Sequence, residues 1–285
     1  MTRAPVVDAH HHFWLDPSPD RYPWLTDDLA AIRRPFGPDD LRPLLAANGV
    51  DRTVLVQTRS SLEESFEFLS LAAASGYVAG VVAWVDLTDP EVGSRIAELK
   101  AAPDGHLLVG VRHQVHDEPD PEWLDRDDVR RGLGAVAEAG IVYDLLVREP
   151  QLPAALATAR ALPDLTFVID HLAKPRIAAG REDLGWAERM APFSDLANVA
   201  CKLSGLVTEA DWRGWAIADL APYVARAREW FGADRLLYGS DWPVCLLAAS
   251  YDRVTAAMRE LLAGLPDEAE MAVFGGNAIR IYGLR

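Results

Sequence analysis

The sequence is almost without cysteine. Cys201 and Cys245 are its only two, and they stand in no CxxC or other metal-ligand spacing, so both read as reduced core thiols rather than as a disulfide frame or a thiolate metal site. Long apolar runs are missing too. None approaches the roughly 18 residues that a spanning helix needs, and no extended apolar segment follows the amino terminus, which makes a cytoplasmic location the default expectation. Positive charge is scarce, with 28 Lys and Arg against 43 Asp and Glu and a formal net charge of -15. Such a field repels phosphate backbones and anionic lipid surfaces, so neither nucleic acid nor a membrane is an expected partner. A small-molecule substrate is not excluded, because a few arginines inside an acidic protein can still hold hydroxyls or a carboxylate. A homo-oligomer is compatible with the composition. No repeat, low-complexity tract or linker divides the 285 residues, and one domain is expected.

What is present is alternation. Short β-branched runs cover Pro5 to Phe13, Arg52 to Thr58, Val78 to Val85, Leu107 to Gln114, Ile141 to Val147, Thr166 to His171, Val199 to Gly205 and Leu236 to Asp241. Several, such as VAGVVAWV and HLLVGVRH, are apolar on both faces, the pattern of a parallel strand covered on both sides. Between them lie amphipathic segments with legible starts: Ser60 or Ser61 caps one that runs toward Gly76, and Asp89-Pro90-Glu91 opens another. Further helices are predicted over Pro38 to Asn48, Asp127 to Ala139, Pro150 to Ala161, Trp186 to Leu196, Trp215 to Phe231 and Tyr251 to Leu262. Eight such units predict an α/β fold, a single-domain (β/α)8 TIM barrel. An open doubly wound sheet would need a glycine-rich phosphate turn after the first strand, and histidines and Trp14 stand there instead. The longest insertion, about 15–36, is rich in Pro, Asp, Tyr and Trp; it reads as a lid or substrate wall over the carboxyl end of the barrel, or as a packing loop.

The stretch Val6-Val7-Asp8-Ala9-His10-His11-His12-Phe13 is not explained by packing. In a regular strand Asp8, His10 and His12 share one face and His11 takes the other. Two imidazoles converging on one point suit a metal ion or acid-base chemistry. The remaining strand ends are also polar. They carry Gln57, Thr58 and Arg59; Arg112, His113 and Gln114; Tyr143 and Asp144; Asp170, His171 and Lys174; Lys202 and Ser204; Ser240, Asp241 and Trp242. Catalytic groups of a barrel sit at those ends.

Taken together, VVDAHHHFW, GVRHQV, VIDHLAKP, CKLSGL, LLYGSDWPV and FGGNAIRIYGL resemble the amidohydrolase superfamily over nearly the whole chain. Within it they resemble the amidohydrolase 2 group of sugar and dicarboxylate lactonases. The resemblance implies that His10 and His12 are the paired strand-one histidines, His171 the strand-six histidine, and Asp241 the strand-eight aspartate that takes a proton from the attacking water. Two departures bear on metal. Val142-Tyr143-Asp144 stands where many relatives have a ligand histidine, and Arg112-His113 where binuclear relatives have lysine or glutamate. A two-metal centre is therefore not expected. A single divalent ion, Zn²⁺ by donor type, held by His10, His12 and Asp241 with His171, satisfies the usual coordination. The lactonase branch also includes members that work without metal, so both versions stand at this point, and no organic cofactor is expected.

The expected activity is hydrolytic opening of a small lactone, an aldonolactone of the fuconolactone or rhamnonolactone kind. Asp241 would be the general base, with His10, His12 and His171 stabilising the oxyanion or holding the ion. Arg112, His113, Asp144 and Lys174 are expected to contact substrate. Trp14 and Trp242 read as an apolar wall for a sugar ring or as packing, and Lys202 and Arg59 as salt-bridged barrel residues. Competing readings are a metal-dependent decarboxylase of the same superfamily and a noncatalytic ligand-binding barrel.

Overall fold

A computed structural model of the chain describes residues 4–180 and 183–285. Eight strands, β1 (Val7–His11), β2 (Arg52–Val56), β3 (Val78–Ala83), β4 (Leu108–His113), β5 (Val142–Leu145), β6 (Phe167–Ile169), β7 (Val199–Leu203) and β8 (Leu236–Tyr238), form one sheet in chain order. All seven successive pairings are parallel. A parallel bridge between His11 and Trp242 joins the first strand to the end of the last, so the sheet closes into the (β/α)8 barrel that the alternation predicts.

Helices α1 (Pro38–Asn48), α2 (Leu62–Ser75), α3 (Val92–Ala101), α4 (Asp127–Glu138), α5 (Leu152–Ala161), α6 (Leu184–Met190), α7 (Ile217–Phe231) and α8 (Tyr251–Leu262) return the chain between strands or cover the last of them. Their starts follow local chemistry. Ser61 accepts the Glu64 amide at the head of α2, Asp183 the Trp186 amide at the head of α6, and Ser250 the Arg253 amide at the head of α8. None of the described helices is long and apolar enough to cross a membrane.

The strands are buried on both faces, and two cores result. Val7, Ala9, Val54, Val56, Val82, Val142, Val168, Ala200 and Leu237 fill the barrel interior. The larger cluster lies between strands and helices. Two short carboxyl-terminal helices, α9 (Asp267–Met271) and α10 (Asn277–Tyr282), follow α8, and Ala278 and Tyr282 of α10 join the interior cluster. That segment plugs the barrel from the end opposite the polar strand termini.

One expectation is corrected in β1. Three residue steps from Asp8 to His11 face only two on β2, from Thr53 to Leu55, so a β-bulge inserts one extra residue. Alternation is broken there. Ala9 and His10 both face inward, His11 turns outward to Thr53 Oγ1 at 2.8 Å, and Asp8 does not share the face of His10 and His12. The Asp8 carboxylate instead accepts the Ser240 amide at 2.8 Å and the Tyr251 hydroxyl at 3.1 Å, a tie between β1, the end of β8 and α8. Burial pushes its pKa up to about 6 despite those bonds.

The insertion at 15–36 is closed at its base by paired backbone bonds between Trp14 and Phe36. Arg21 pairs with Glu67 of α2 at 2.9 Å, and Tyr22 packs against Trp14 and Trp24.

Candidate active site

Closure of the barrel builds the site. The Asp241 amide donates to the His10 carbonyl at 2.8 Å and the His12 amide to the Trp242 carbonyl at 2.7 Å, which sets the last strand's aspartate beside the first strand's histidines. His10 Nε2 and His12 Nε2 are 3.2 Å apart. Asp241 Oδ1 lies 3.5 Å from His12 Nε2 and 3.9 Å from both His10 Nε2 and His171 Nε2. All four side chains are buried.

Each of the far ring nitrogens has a partner. His12 Nδ1 is 2.7 Å from the Val56 carbonyl, which can only accept, so Nδ1 carries hydrogen and Nε2 is the atom turned toward the centre. His10 Nδ1 lies 3.2 Å from Asp170 Oδ1 and also 3.2 Å from Lys202 Nζ. The Lys202 ammonium, with three protons to donate, also faces Asp144 and Asp170, at 2.5 and 2.9 Å, so an acceptor and a donor both stand behind His10. His171 Nδ1 is 2.8 Å from Ser204 Oγ. Burial holds His10 well below its ordinary pKa, against the opposing pull of Asp170. It takes His171 down to about 4, against Asp241. For Asp241 burial acts upward, but His171 and His12 outweigh it and keep the carboxyl below its usual range. At neutral pH the centre holds neutral His10 and His171 beside a carboxylate.

Such a centre fits a divalent cation. Tetrahedral zinc bonds of about 2.0–2.1 Å place donor atoms roughly 3.3 Å apart, close to the spacings above. Each of the three histidines is oriented from behind by a carboxylate, carbonyl or hydroxyl, as metal-binding imidazoles are. His10, His12 and Asp241 form one group with metal-ligand spacing. Arg112 Nη1 stands 3.3 Å from His10 Nε2, and His171 Nε2 approaches the group through Asp241 Oδ1 at 3.9 Å.

Beneath this centre lies a layer of buried charge. Arg112 Nη1 binds Asp170 Oδ2 at 2.9 Å and Nη2 binds the Gln57 carbonyl at 2.5 Å. Lys202 bridges Asp170 and Asp144, and the Tyr282 hydroxyl donates to Asp144 at 2.8 Å. Two cations face two carboxylates. Burial acts upward on Asp170, but Lys202, His10 and Arg112 hold it well below the usual carboxylate range. Burial raises Asp144 to about 6.

Above the centre opens a cavity of about 380 Å³. His12, His171, Asp241 and Arg112 line its floor, and its walls include Trp24 and Leu29 of the insertion, Gln114, His116 and Asp117 after β4, Arg148 after β5, Lys174 after β6, Glu209 and Trp212 after β7, and Val244 and Leu247 after β8. Lys174 pairs with Glu209 at 3.2 Å and His116 with Asp117 at 3.1 Å.

Not every residue singled out in the sequence reaches this cavity. His10, His12, His171 and Asp241 meet, and Arg112 and Lys174 line the cavity. Asp144 lies in the charged layer below, fully buried. His113 turns away to Glu118 at 2.7 Å and stacks on Trp123 with ring centroids 4.4 Å apart. Trp14 is spent inside the insertion, its indole N–H donating to the Ile32 and Arg34 carbonyls, and Trp242 packs on Phe13 and Phe36. Neither is an aromatic wall; Trp24 and Trp212 occupy that place. His116, Asp117, Arg148 and Glu209 were missed because they stand in loops beyond the strand ends. The polar, aromatic composition of those loops was the available signal.

Two close approaches need glycine. A Cβ on Gly205, whose φ is +64°, would come within 2.5 Å of His171 Nδ1, and one on Gly239 within 2.8 Å of the His10 Cβ.

A family model described as amidohydrolase matches residues 7–284. An L-fucono-1,5-lactonase of Burkholderia ambifaria is 42% identical over 280 residues, 97% of this chain and 94% of the relative. Another, from Burkholderia multivorans, is 40% identical over 288 residues, 98% of this chain and 96% of the relative. A crystal structure of an amidohydrolase from Burkholderia multivorans with bound zinc superposes with a TM-score of 0.93 at 38% identity, covering 99% of this chain and all of the other.

Proposed function

This chain belongs to the amidohydrolase family, and on that premise we propose that it hydrolyses a small sugar-derived lactone with Asp241 as the base that activates water. The observation that carries the reading is the meeting of the Asp241 carboxylate with three imidazoles on the floor of a cavity at the low end of the range for small-molecule sites, about 300–1,000 Å³. The two lactonases above support an aldonolactone as substrate.

Asp241 takes a proton from water as the water oxygen attacks the lactone carbonyl carbon. Charge gathers on the carbonyl oxygen. The Nε2 atoms of His10, His12 and His171 surround Asp241 Oδ1, where they can hold the attacking water or a cation. Arg112 is the donor on the floor, fixed in place by Asp170 and Gln57. When the carbonyl re-forms, the ring C–O bond breaks and the departing oxygen recovers the proton from Asp241, which leaves the open hydroxy acid and a regenerated carboxylate. The Lys174–Glu209 ion pair and the His116–Asp117 contact present donors and acceptors together at the rim, as a polyhydroxylated ring requires. A divalent ion, zinc by donor type and by the zinc-bound relative, would be held by His10, His12 and Asp241 with His171; it would supply polarisation of the carbonyl and a more acidic water.

The test is a pH-indicator screen of 1,4- and 1,5-aldonolactones with metal analysis of the same preparation. Proton release on ring opening is the expected result, and carbon dioxide release would point to a decarboxylase. Asp241→Asn is expected to lower kcat by about 10²–10⁴-fold with the circular dichroism spectrum unchanged. Full turnover in that variant would defeat the assignment of the base.

A further inference from the structure

Directly after β6 the backbone does something that L-amino acids avoid. His171, Leu172, Ala173 and Lys174 have φ of 54, 50, 56 and 53°, four successive left-handed residues with no glycine among them. A Cβ makes that conformation unfavourable at each position, and even tolerant residues enter it singly. This turn sets the position of both the His171 ring on the cavity floor and the Lys174 ammonium on its rim.

We propose that Trp186 is a positioning residue for the reaction, its indole N–H holding the left-handed turn from which His171 and Lys174 project. The Trp186 Nε1–H donates to the Leu172 carbonyl at 2.6 Å, in the middle of the turn. Leu172 is fully buried and Trp186 1% exposed, so water cannot replace the bond. The donor belongs to an aromatic cluster. Its ring lies between Tyr223 and Trp230 of α7, with centroids 5.3 Å from each. Its helix begins at Asp183, which binds Arg176 through Nε and Nη2 at 3.0 and 2.9 Å. The segment Asp170–Ala173 also has the short-range backbone bonds of a 3-10 turn, and a bond from the Lys174 amide to the His171 carbonyl at 2.8 Å joins its two ends. Beyond that the His171 ring has its Nδ1 contact with Ser204, which aims the ring but does not set the backbone that carries it.

The inference rests on the lactonase reading for its kinetic arm and on geometry alone for its structural arm, so two measurements are made on the full chain. Trp186→Phe keeps the aromatic packing and removes the donor. Its kcat on the aldonolactone that the wild type opens is expected to fall at least tenfold, with KM changing less. Amide exchange in the peptide that contains residues 171–174 is expected to quicken at least tenfold. Trp230→Phe alters the same aromatic cluster without touching the turn and is expected to leave both within twofold. Adding Ala173→Gly to Trp186→Phe is expected to recover at least threefold in kcat, because glycine takes positive φ readily; a defect of packing alone would not be rescued.

Wild-type kcat and exchange in Trp186→Phe would overturn the proposal, as would an equal loss in Trp230→Phe or a further fall on adding Ala173→Gly. Should the wild type open no aldonolactone, the lactonase reading fails and amide exchange still decides the clamp. Should Trp186→Phe not fold, Ala173→Gly alone decides, with a raised thermal midpoint expected and a lowered one overturning the strain on which the clamp acts.

Discussion

Lys202 shows how differently the same residue type is used two layers apart. It has no exposure, yet it stands between the carboxylates of Asp144 and Asp170 and beside His10. Its reading as a salt-bridged barrel residue suits that placement, but the salt bridge also secures the Asp170 carboxylate that stands 3.2 Å behind His10. Removing one partner of a buried ion pair leaves uncompensated charge and costs about 3–5 kcal/mol. Lys202→Met is expected to lose that much in urea unfolding, and an unchanged midpoint would show that the layer is not ionised as described. Gly205 carries a different constraint, since a side chain there collides with His171. Gly205→Ala is expected to lower kcat more than tenfold while KM changes little, measured with the same aldonolactone.

Among the elements, the insertion closed by Trp14 and Phe36 is held by its own aromatic cluster and by the Arg21–Glu67 pair, and it delivers Trp24 and Leu29 to the cavity. It is at once a packed segment and a wall. Losing the ring of Trp24 removes an apolar and aromatic contact of about 1–1.5 kcal/mol, which corresponds to roughly tenfold in affinity. Trp24→Ala is therefore expected to raise KM about tenfold with kcat nearly unchanged, and steady-state kinetics on the preferred lactone checks it. The β1 bulge acts at the same scale. One extra residue separates Asp8, which ties the barrel seam, from His10 and His12, which meet Asp241.

Across the whole molecule, buried titratable groups set the acid response. Burial lowers His171 to about 4, His11 to about 3 and His10 well below its usual value. Each takes up a proton on unfolding between its folded pKa and about 6.5, so its contribution is fully present above 6.5 and is lost as pH falls. Asp8 and Asp144, both raised to about 6, act the other way: each releases a proton on unfolding between about 3.8 and 6, and stability falls as pH rises through that window. Burial lowers His116 as well, so four histidines against two aspartates leave a net uptake of protons on unfolding. The chelator-treated protein is expected to lose about 1.4 kcal/mol or more per pH unit on acidification from 6 to 4. His11→Gln, which is outside the cavity, should flatten that slope in pH-dependent urea titrations; an unaltered slope would mean that His11 is charged in the folded chain.

Periodicity and punctuation determined the eight strands, the helices between them and hence the barrel, because alternation of apolar faces with capping residues is local information. In a closed parallel barrel every strand's carboxyl end reaches the same rim, so polar strand ends meet wherever they lie in the chain; the resemblance to the amidohydrolase superfamily singled out the four central residues among them. Only the tertiary structure decided which strand-end groups look into the cavity. Asp144 sinks below it because Lys202 and Tyr282, distant in sequence, offer it partners there. His113 turns aside because Glu118 and Trp123 stack and bind it. The bulge that separates Asp8 from His10, the left-handed turn under His171, and the loop residues at the rim depend on neighbours brought together by closure, which no local pattern encodes.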